Sequence, residues 1–261
     1  MLSRFYDAQV WCQSKLFPPP PKGAFPPIWL TTRKPPYGLL ARGGELTEES
    51  LLLAYSKGVF PFTDRGSVNW WSCDPRMVLF PEKMKFNRRF RQQLRSDRFS
   101  VTFDTAFEQV VNACAEREST WLNPERIAIC NALHEKGYSH SVEVWSQEGL
   151  LVGGVFGTDM GKILIGESSF HREPSASKIA IVTLACHLQH WGYHAFDIGG
   201  YQAYCEAMGF ENIPRKEYLA WLKKGTTDGR KTGKWRVDPG VDVAAWKPGE
   251  PGSQVARRDD I

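Results

Sequence analysis

Apolar positions in this chain come in short bursts whose spacing alternates between helical and extended periods. After Leu46-Thr47-Glu48-Glu49 the pattern predicts a helix to about Lys57, stopped at Gly58. Thr47 serves as its N-cap, the two glutamates complement the positive end of the helix dipole, and Leu46 with Leu51 form a hydrophobic staple. A strand through Trp70-Trp71 follows, with one ring buried and the other available. Phe86, Phe90 and Leu94 recur at helical spacing, with arginines on the other faces. Phe99, Val101 and Phe103 alternate with Ser100 and Thr102, which predicts a strand. Phe107, Val110, Val111 and Cys114 share one helical face, and Asn123-Pro124 opens a further helix that ends at Gly137. Three strands are expected at about 140–145, 150–157 and 162–168, the first two joined by a turn at Ser146-Gln147-Glu148-Gly149. A long apolar helix over about 176–191, a strand over 193–198, a helix over about 202–208 and a short helix from Pro214-Arg215 complete the series.

From Ser100 the order is therefore strand, helix, helix, three strands, helix, strand, helix. The class is α/β (α+β), and the order matches, as fold-level analogy, a GNAT-like acyltransferase domain. Composition sets the two ends apart. Residues 1–27 are an irregular, proline-dense leader. Residues 225–261 are rich in Gly, Asp, Lys and Pro without periodicity and read as a disordered tail.

Hydrophobic residues make up 42% and aromatics 13%, enough for a sizeable core. A net charge of +4 is too weak to establish a nucleic-acid partner. Local density says more. Lys83, Lys85, Arg88, Arg89, Arg91, Arg95 and Arg98 are opposed in their stretch only by Asp97, and Arg230, Lys231, Lys234 and Arg236 form a second cluster. The first cluster is either a solvated helix face or a set of phosphate contacts. The six cysteines have neither metal-knuckle nor redox-pair spacing, which points to a reduced, intracellular protein. No apolar run is long enough to span a membrane.

In GNAT-like folds the acyl donor sits where neighbouring strands splay apart at the N-terminus of the next helix. Enzymes of that fold that use coenzyme A carry a glycine-rich loop there, whose N–H groups cradle a pyrophosphate. The corresponding stretch here, Ser168 to Lys178, has no glycine. The fold thus points to acyl transfer while this stretch argues against coenzyme A. Glu167 ends an apolar strand, where it binds a cationic substrate group or pairs with a nearby lysine; spacing does not choose. His187, His190 and His194 lack the further ligands that a metal site needs. Gly153-Gly154 alone is a weak signal.

Several unusual strings, in order, resemble the leucyl/phenylalanyl-tRNA–protein transferase family. They include residues 38–46, Ala54 to Pro61, Trp70-Trp71-Ser72-Cys73-Asp74-Pro75-Arg76, Thr120-Trp121 and Leu133-His134-Glu135. His140 to Glu143, Leu151 to Gly154, Gly166-Glu167-Ser168, Ala176-Ser177-Lys178 and Ile213-Pro214-Arg215 continue the match. The resemblance implies a small N-terminal domain over 28–75 and a GNAT-like catalytic domain over 76–224, in a cytoplasmic monomer with no cofactor, no metal and no membrane contact. It implies aminoacyl-tRNA as donor, usually charged with Leu or Phe, and acceptor proteins beginning with Arg or Lys, whose products are marked for degradation. By matched position, Trp121 stacks on the terminal adenosine, with Phe62 where a second Trp is usual. Val155, Leu164, Ile181 and Leu184 match the donor side-chain pocket, and Glu167 and Asp197 the polar side of the catalytic centre. Arg76, Lys83, Lys85, Arg88, Arg89 and Arg91 are the expected tRNA contacts. Besides Phe62, two further positions depart from the family pattern. Gly199 stands where a catalytic Gln is usual, with Gln202 as a partial substitute, and Cys130 stands where a Tyr is common. Three readings follow: the aminoacyl transferase, with Leu, Phe or Met or else an altered donor such as Arg served by an acid like Asp159; a coenzyme A-dependent acetyltransferase; and a non-catalytic tRNA- or degron-binding protein.

Overall fold

The computed structural model describes residues 24–32, 38–64, 66–117 and 120–250. Most of the expected leader and the last residues of the expected tail lie outside them. The chain divides into two compact units, residues 1–76 with 213–223 and residues 77–212 with 224–261.

The smaller unit holds an antiparallel sheet of order β1-β3-β2, built from β1 (Leu39–Arg42), β2 (Phe60–Asp64) and β3 (Ser67–Trp71). Its helix α1 (Glu48–Ser56) starts as the capping signals require. Thr47 Oγ1 accepts from the Ser50 N–H at 3.1 Å, and Ser50 Oγ accepts from the Thr47 N–H at 2.8 Å. Leu46 and Leu51 are both buried, as a staple demands. Trp70 is buried and donates its Nε1–H to the Gly43 carbonyl at 2.9 Å, while Trp71 is half-buried. The first part of α6 (Arg215–Thr227) belongs to this unit rather than to the expected catalytic domain. Tyr218 and Leu222, four residues apart on one helical face, are buried there. Arg215 donates to Thr31 Oγ1 at 2.9 Å and to the Ser72 carbonyl at 2.8 Å.

The larger unit is built on a seven-stranded sheet of order β10-β4-β9-β8-β7-β6-β5. The strands are β4 (Arg76–Leu79), β5 (Phe99–Phe103), β6 (Ser139–Ser146), β7 (Leu151–Asp159), β8 (Ile163–His171), β9 (Ala195–Gly199) and β10 (Glu211–Ile213). Strands β5 to β8 form an antiparallel meander; β8 and β9 are parallel and β9 and β4 antiparallel. A parallel pair needs a crossover, and α5 (Ala176–His190) supplies it. This is the GNAT-like arrangement of strands and crossover helix that the element order predicts.

Alternation along β7 sorts the core into two faces. Val155 packs with α5 and with Val142, Val144, Leu164 and Phe196. Phe156 packs with α3 (Phe107–Ala115) and with Cys130 of α4 (Pro124–Glu135). Gly153 has a packing reason: a Cβ there would lie 2.5 Å from that of Ala176, so glycine lets α5 approach the sheet. The basic helix is shorter than its apolar spacing suggests: α2 spans only Arg88–Leu94, capped by Asn87.

Residues 225–250 depart from the disordered tail expected of them. Trp235 and Trp246 are buried in the larger unit's core. The Trp235 ring stacks on His140 with centroids 3.9 Å apart, and its backbone N–H donates to Asp104 Oδ2 at 2.6 Å. The Trp246 indole donates to Gln189 Oε1 at 3.1 Å. Isolated tryptophans in a polar stretch have no periodicity to betray them, yet each buries a large apolar area. Trp235→Ala is therefore expected to destabilise the protein by about 3–5 kcal/mol. Denaturant unfolding read by far-UV circular dichroism checks this; a loss under about 1 kcal/mol would show the segment to be merely apposed.

Candidate functional site

The parallel pairing of β8 with β9 is brief. It runs Ile163↔Ala195, Leu164↔Phe196 and Ile165↔Asp197, and then ends. Beyond that point each strand keeps only its outer neighbour, and each carries a bulge. On β8, Ser168 pairs with Phe156 and Gly166 with Gly157, which leaves Glu167 as the extra residue. On β9, Asp197 pairs with Val78 and Gly199 with Met77, which leaves Ile198 as the extra residue. Bulges bend strands and re-aim side chains. The splay expected of this fold thus places Glu167 and Asp197 on its two sides, close in register.

Glu167 is fully engaged. Arg126 Nη2 donates to its Oε1 and Oε2 at 3.1 and 3.0 Å, and Thr158 Oγ1 donates to Oε1 at 3.0 Å. The side chains of Arg126 and Glu167 are only 1% and 5% exposed. Of the two readings that spacing left open, the ion pair holds, but its partner is an arginine in the first turn of α4. The same guanidinium lies 5.2 Å from the ring centroid of Trp121, which is half-buried just before that helix. Arg126 was missed by sequence reasoning because Asn-Pro-Glu-Arg reads as an ordinary exposed helix start. Its only sequence signal is a cation at a position whose neighbours on the same face, Cys130 and Leu133, are buried.

Asp197 is fully buried, and its Oδ1 accepts the Gly199 N–H at 2.8 Å. Gly199 has φ +78°, in the left-handed region. Glycine stands where the family pattern has Gln because the turn out of β9 requires that conformation here. Gln202 is exposed, and its backbone N–H meets Met77 Sδ at 3.1 Å.

Val155, Leu164, Ile181 and Leu184 come together in one cluster, all at most 4% exposed. They are part of the packed core, because the apolar alternation that marks a ligand pocket is the same signal that marks a core. Cys130 and Cys114 are buried, and burial pushes both thiols up to about 12, so neither is a nucleophile at neutral pH. Asp159 is buried under the Tyr193 hydroxyl, which donates to its Oδ2 at 2.9 Å, and burial raises its carboxyl to about 7. The three histidines do not converge. His187 donates from Nδ1 to the Thr183 carbonyl and accepts the Asp238 N–H at Nε2, and burial depresses it to about 4. His190 and His194 pair with Asp238 and Asp228. Among the described residues no group of three or more His, Cys, Asp and Glu is placed to hold a metal.

The expected tRNA contacts divide. Arg76 departs from its assignment: in the smaller unit it is 1% exposed, between the rings of Phe60 and Tyr218 at 4.8 and 4.7 Å. Arg91 is half-buried and donates to the Ala244 and Trp246 carbonyls at 2.7 and 2.8 Å, which anchors the C-terminal segment. Lys83 pairs with Glu211, whereas Lys85, Arg88 and Arg89 are exposed. Phe62, in the smaller unit, is 41% exposed and meets Phe60 edge-on.

Fold and site together define a GNAT-like acyltransferase domain with an acidic pair at the splay. The match to known proteins is narrower than that class. The model of the leucyl/phenylalanyl-tRNA protein transferase matches residues 78–223, and that of its N-terminal domain residues 44–74. A leucyl/phenylalanyl-tRNA–protein transferase of Aromatoleum aromaticum is 44% identical over 225 residues, 84% of this chain and 94% of that one. One of Methylococcus capsulatus is 42% identical over 222 residues, 83% and 94% of the two chains. This chain belongs to the leucyl/phenylalanyl-tRNA–protein transferase family.

Two outcomes follow from this geometry. Gly199→Gln restores the family residue but forces it into the left-handed region, at about 1–2 kcal/mol. We expect lower stability and no gain in transfer rate; a faster, equally stable variant would show that the turn tolerates a side chain. If Arg88 and Arg89 meet phosphates, replacing both by Ala flattens the logarithmic salt dependence of tRNA binding by about 0.7–0.9 per contact. An unchanged slope would mark them as solvated surface.

Proposed function

We propose that this chain takes an aminoacyl group from tRNA, leucyl, phenylalanyl or methionyl by preference, and transfers it to the N-terminal amine of an acceptor protein. The amine nitrogen attacks the ester carbonyl, the new amide C–N bond forms, and the ester C–O bond breaks. The tRNA leaves with its terminal hydroxyl restored by the proton that the amine gives up, relayed through solvent or a carboxylate. The donor is already activated, and an unperturbed α-amino group titrates at about 7.7–8.0, so a neutral fraction exists near pH 7. Positioning and electrostatics then supply most of the catalysis. Asp197 is the group assigned to orient the amine or a bridging water. Trp121 is assigned to the terminal adenosine and Phe62 to a second stacking contact. The reaction on charged tRNA is assigned to the cytoplasm.

One observation beyond family membership carries this reading over an acetyltransferase. The connection between β8 and α5 is only Arg172 to Ser175, it holds no glycine, and its first three residues offer no free amide. The Arg172 and Glu173 N–H groups both donate to the Val152 carbonyl, at 2.7 and 3.4 Å, and Pro174 has no N–H. That arrangement does not make the cradle of free amides that a pyrophosphate needs.

Acceptors beginning with Arg or Lys, the class that the resemblance implies, need an anionic group to meet a cationic side chain, and Glu167 is the carboxylate nearest that role. On the donor side the assigned cluster of Val155, Leu164, Ile181 and Leu184 is wholly apolar, and an unpaired guanidinium is strongly disfavoured there. Transfer assays with separately charged Leu-, Phe-, Met- and Arg-tRNA should rank arginine last. Calorimetry with acetyl-CoA should show no binding at micromolar concentration. Asp197→Ala should slow transfer by about 10²–10⁴-fold while the protein stays folded. Tight tRNA binding without transfer from any charged tRNA would make this a binding protein instead.

A further inference from the structure

The acceptor preference implied by the family depends on an acid that is still able to attract a cation. In this protein the acid at the bulge has its cation built in. Arg126 Nη2 reaches both oxygens of Glu167, and Thr158 Oγ1 donates to one of them as well. Both charged side chains are nearly fully buried, so solvent does little to weaken the pair. A carboxylate that is hydrogen-bonded and charge-balanced in this way gains nothing from a second cation. Moreover, a cationic acceptor side chain brought to Glu167 would lie beside the Arg126 guanidinium, and like charges in a water-poor site repel strongly.

We infer that Arg126 is a specificity-determining residue, whose pairing with Glu167 turns acceptor selection away from cationic N-terminal residues and toward uncharged ones. This rests on the aminoacyl-transfer reading and adds the acceptor class to it. Arg126 acts through Glu167 rather than on the reacting atoms. Its placement also explains why a guanidinium is tolerated in the core: Glu167, the Trp121 ring and the Asn123-capped helix start hold it in one orientation.

The test compares two acceptor peptides that differ only at the first residue, Arg or its uncharged isostere citrulline, with one saturating charged tRNA. For the natural protein the ratio of kcat/KM, Arg over citrulline, is expected to be about one or below; a preference for Arg of about tenfold or more overturns the inference. Arg126→Met releases Glu167 and should raise that ratio by about tenfold or more, mainly through KM. Glu167→Gln added to Arg126→Met should abolish the gain. Arg126→Lys keeps a cation at the site and should behave as the natural protein does, which separates a charge effect from a packing effect. A folded Arg126→Met with an unchanged ratio also overturns the inference. If Arg126→Met does not fold, the natural protein and Arg126→Lys still decide it. No transfer to either peptide from any charged tRNA would instead defeat the aminoacyl-transfer reading, and this inference with it.

Discussion

Two parallel strands that part after three residue pairs are the constraint on which the rest of the larger unit depends. Up to Ile165 and Asp197, β8 and β9 share hydrogen bonds; past that point each bonds only to its antiparallel neighbour. The crossover helix α5 keeps the pair together below the split, with its apolar face in the core. Above the split the bulges at Glu167 and Ile198 bend the strands and interrupt their pairing. The hydrogen bond from the Gly199 amide to Asp197 closes β9 in a turn that a side chain at 199 would strain. The position of both acids therefore follows from backbone pairing.

Around that split both acids are hydrogen-bonded rather than left open. A buried ion pair is a weak source of net stability, because desolvation offsets most of the attraction, but removing one partner is strongly destabilising. The Arg126–Glu167 pair is thus better understood as a device of orientation and charge balance than as a fold stabiliser. It ties α4 to β8 and balances the charge of Glu167. The contrast with Arg88 and Arg89, exposed on a short helix, shows how differently one residue type acts with burial.

A second polar anchor lies away from the split. Asp104, buried with φ +53°, accepts from the Ser141 N–H at 2.8 Å and the Trp235 N–H at 2.6 Å, and lies 2.7 Å from His140 Nδ1. One carboxylate thus joins the end of β5, the start of β6 and the C-terminal segment. Burial holds His140 below the usual imidazole range even with that acid beside it. The segment it secures is the one whose composition suggested disorder.

Local signals decided much of this protein before any tertiary contact. Thr47 and Asn123 placed two helix starts, and period-two alternation placed β5, because capping and pleating act over a few residues. The strings shared with the family identified its chemistry, and the absence of glycine from the stretch before α5 pointed away from coenzyme A. What only the tertiary structure decided depends on partners distant in sequence. The buried Trp235 needed His140 and Asp104, and the sequestration of Arg76 needed Phe60 and Tyr218. The recruitment of 213–223 to the smaller unit needed partners at Thr31 and Ser72. The reason for Gly199 lies in a backbone dihedral angle that no side-chain pattern records. The pairing of Arg126 with Glu167 joins residues 41 positions apart, and it forms only because a strand bulge turns an acid toward a helix whose own pattern looks like ordinary surface.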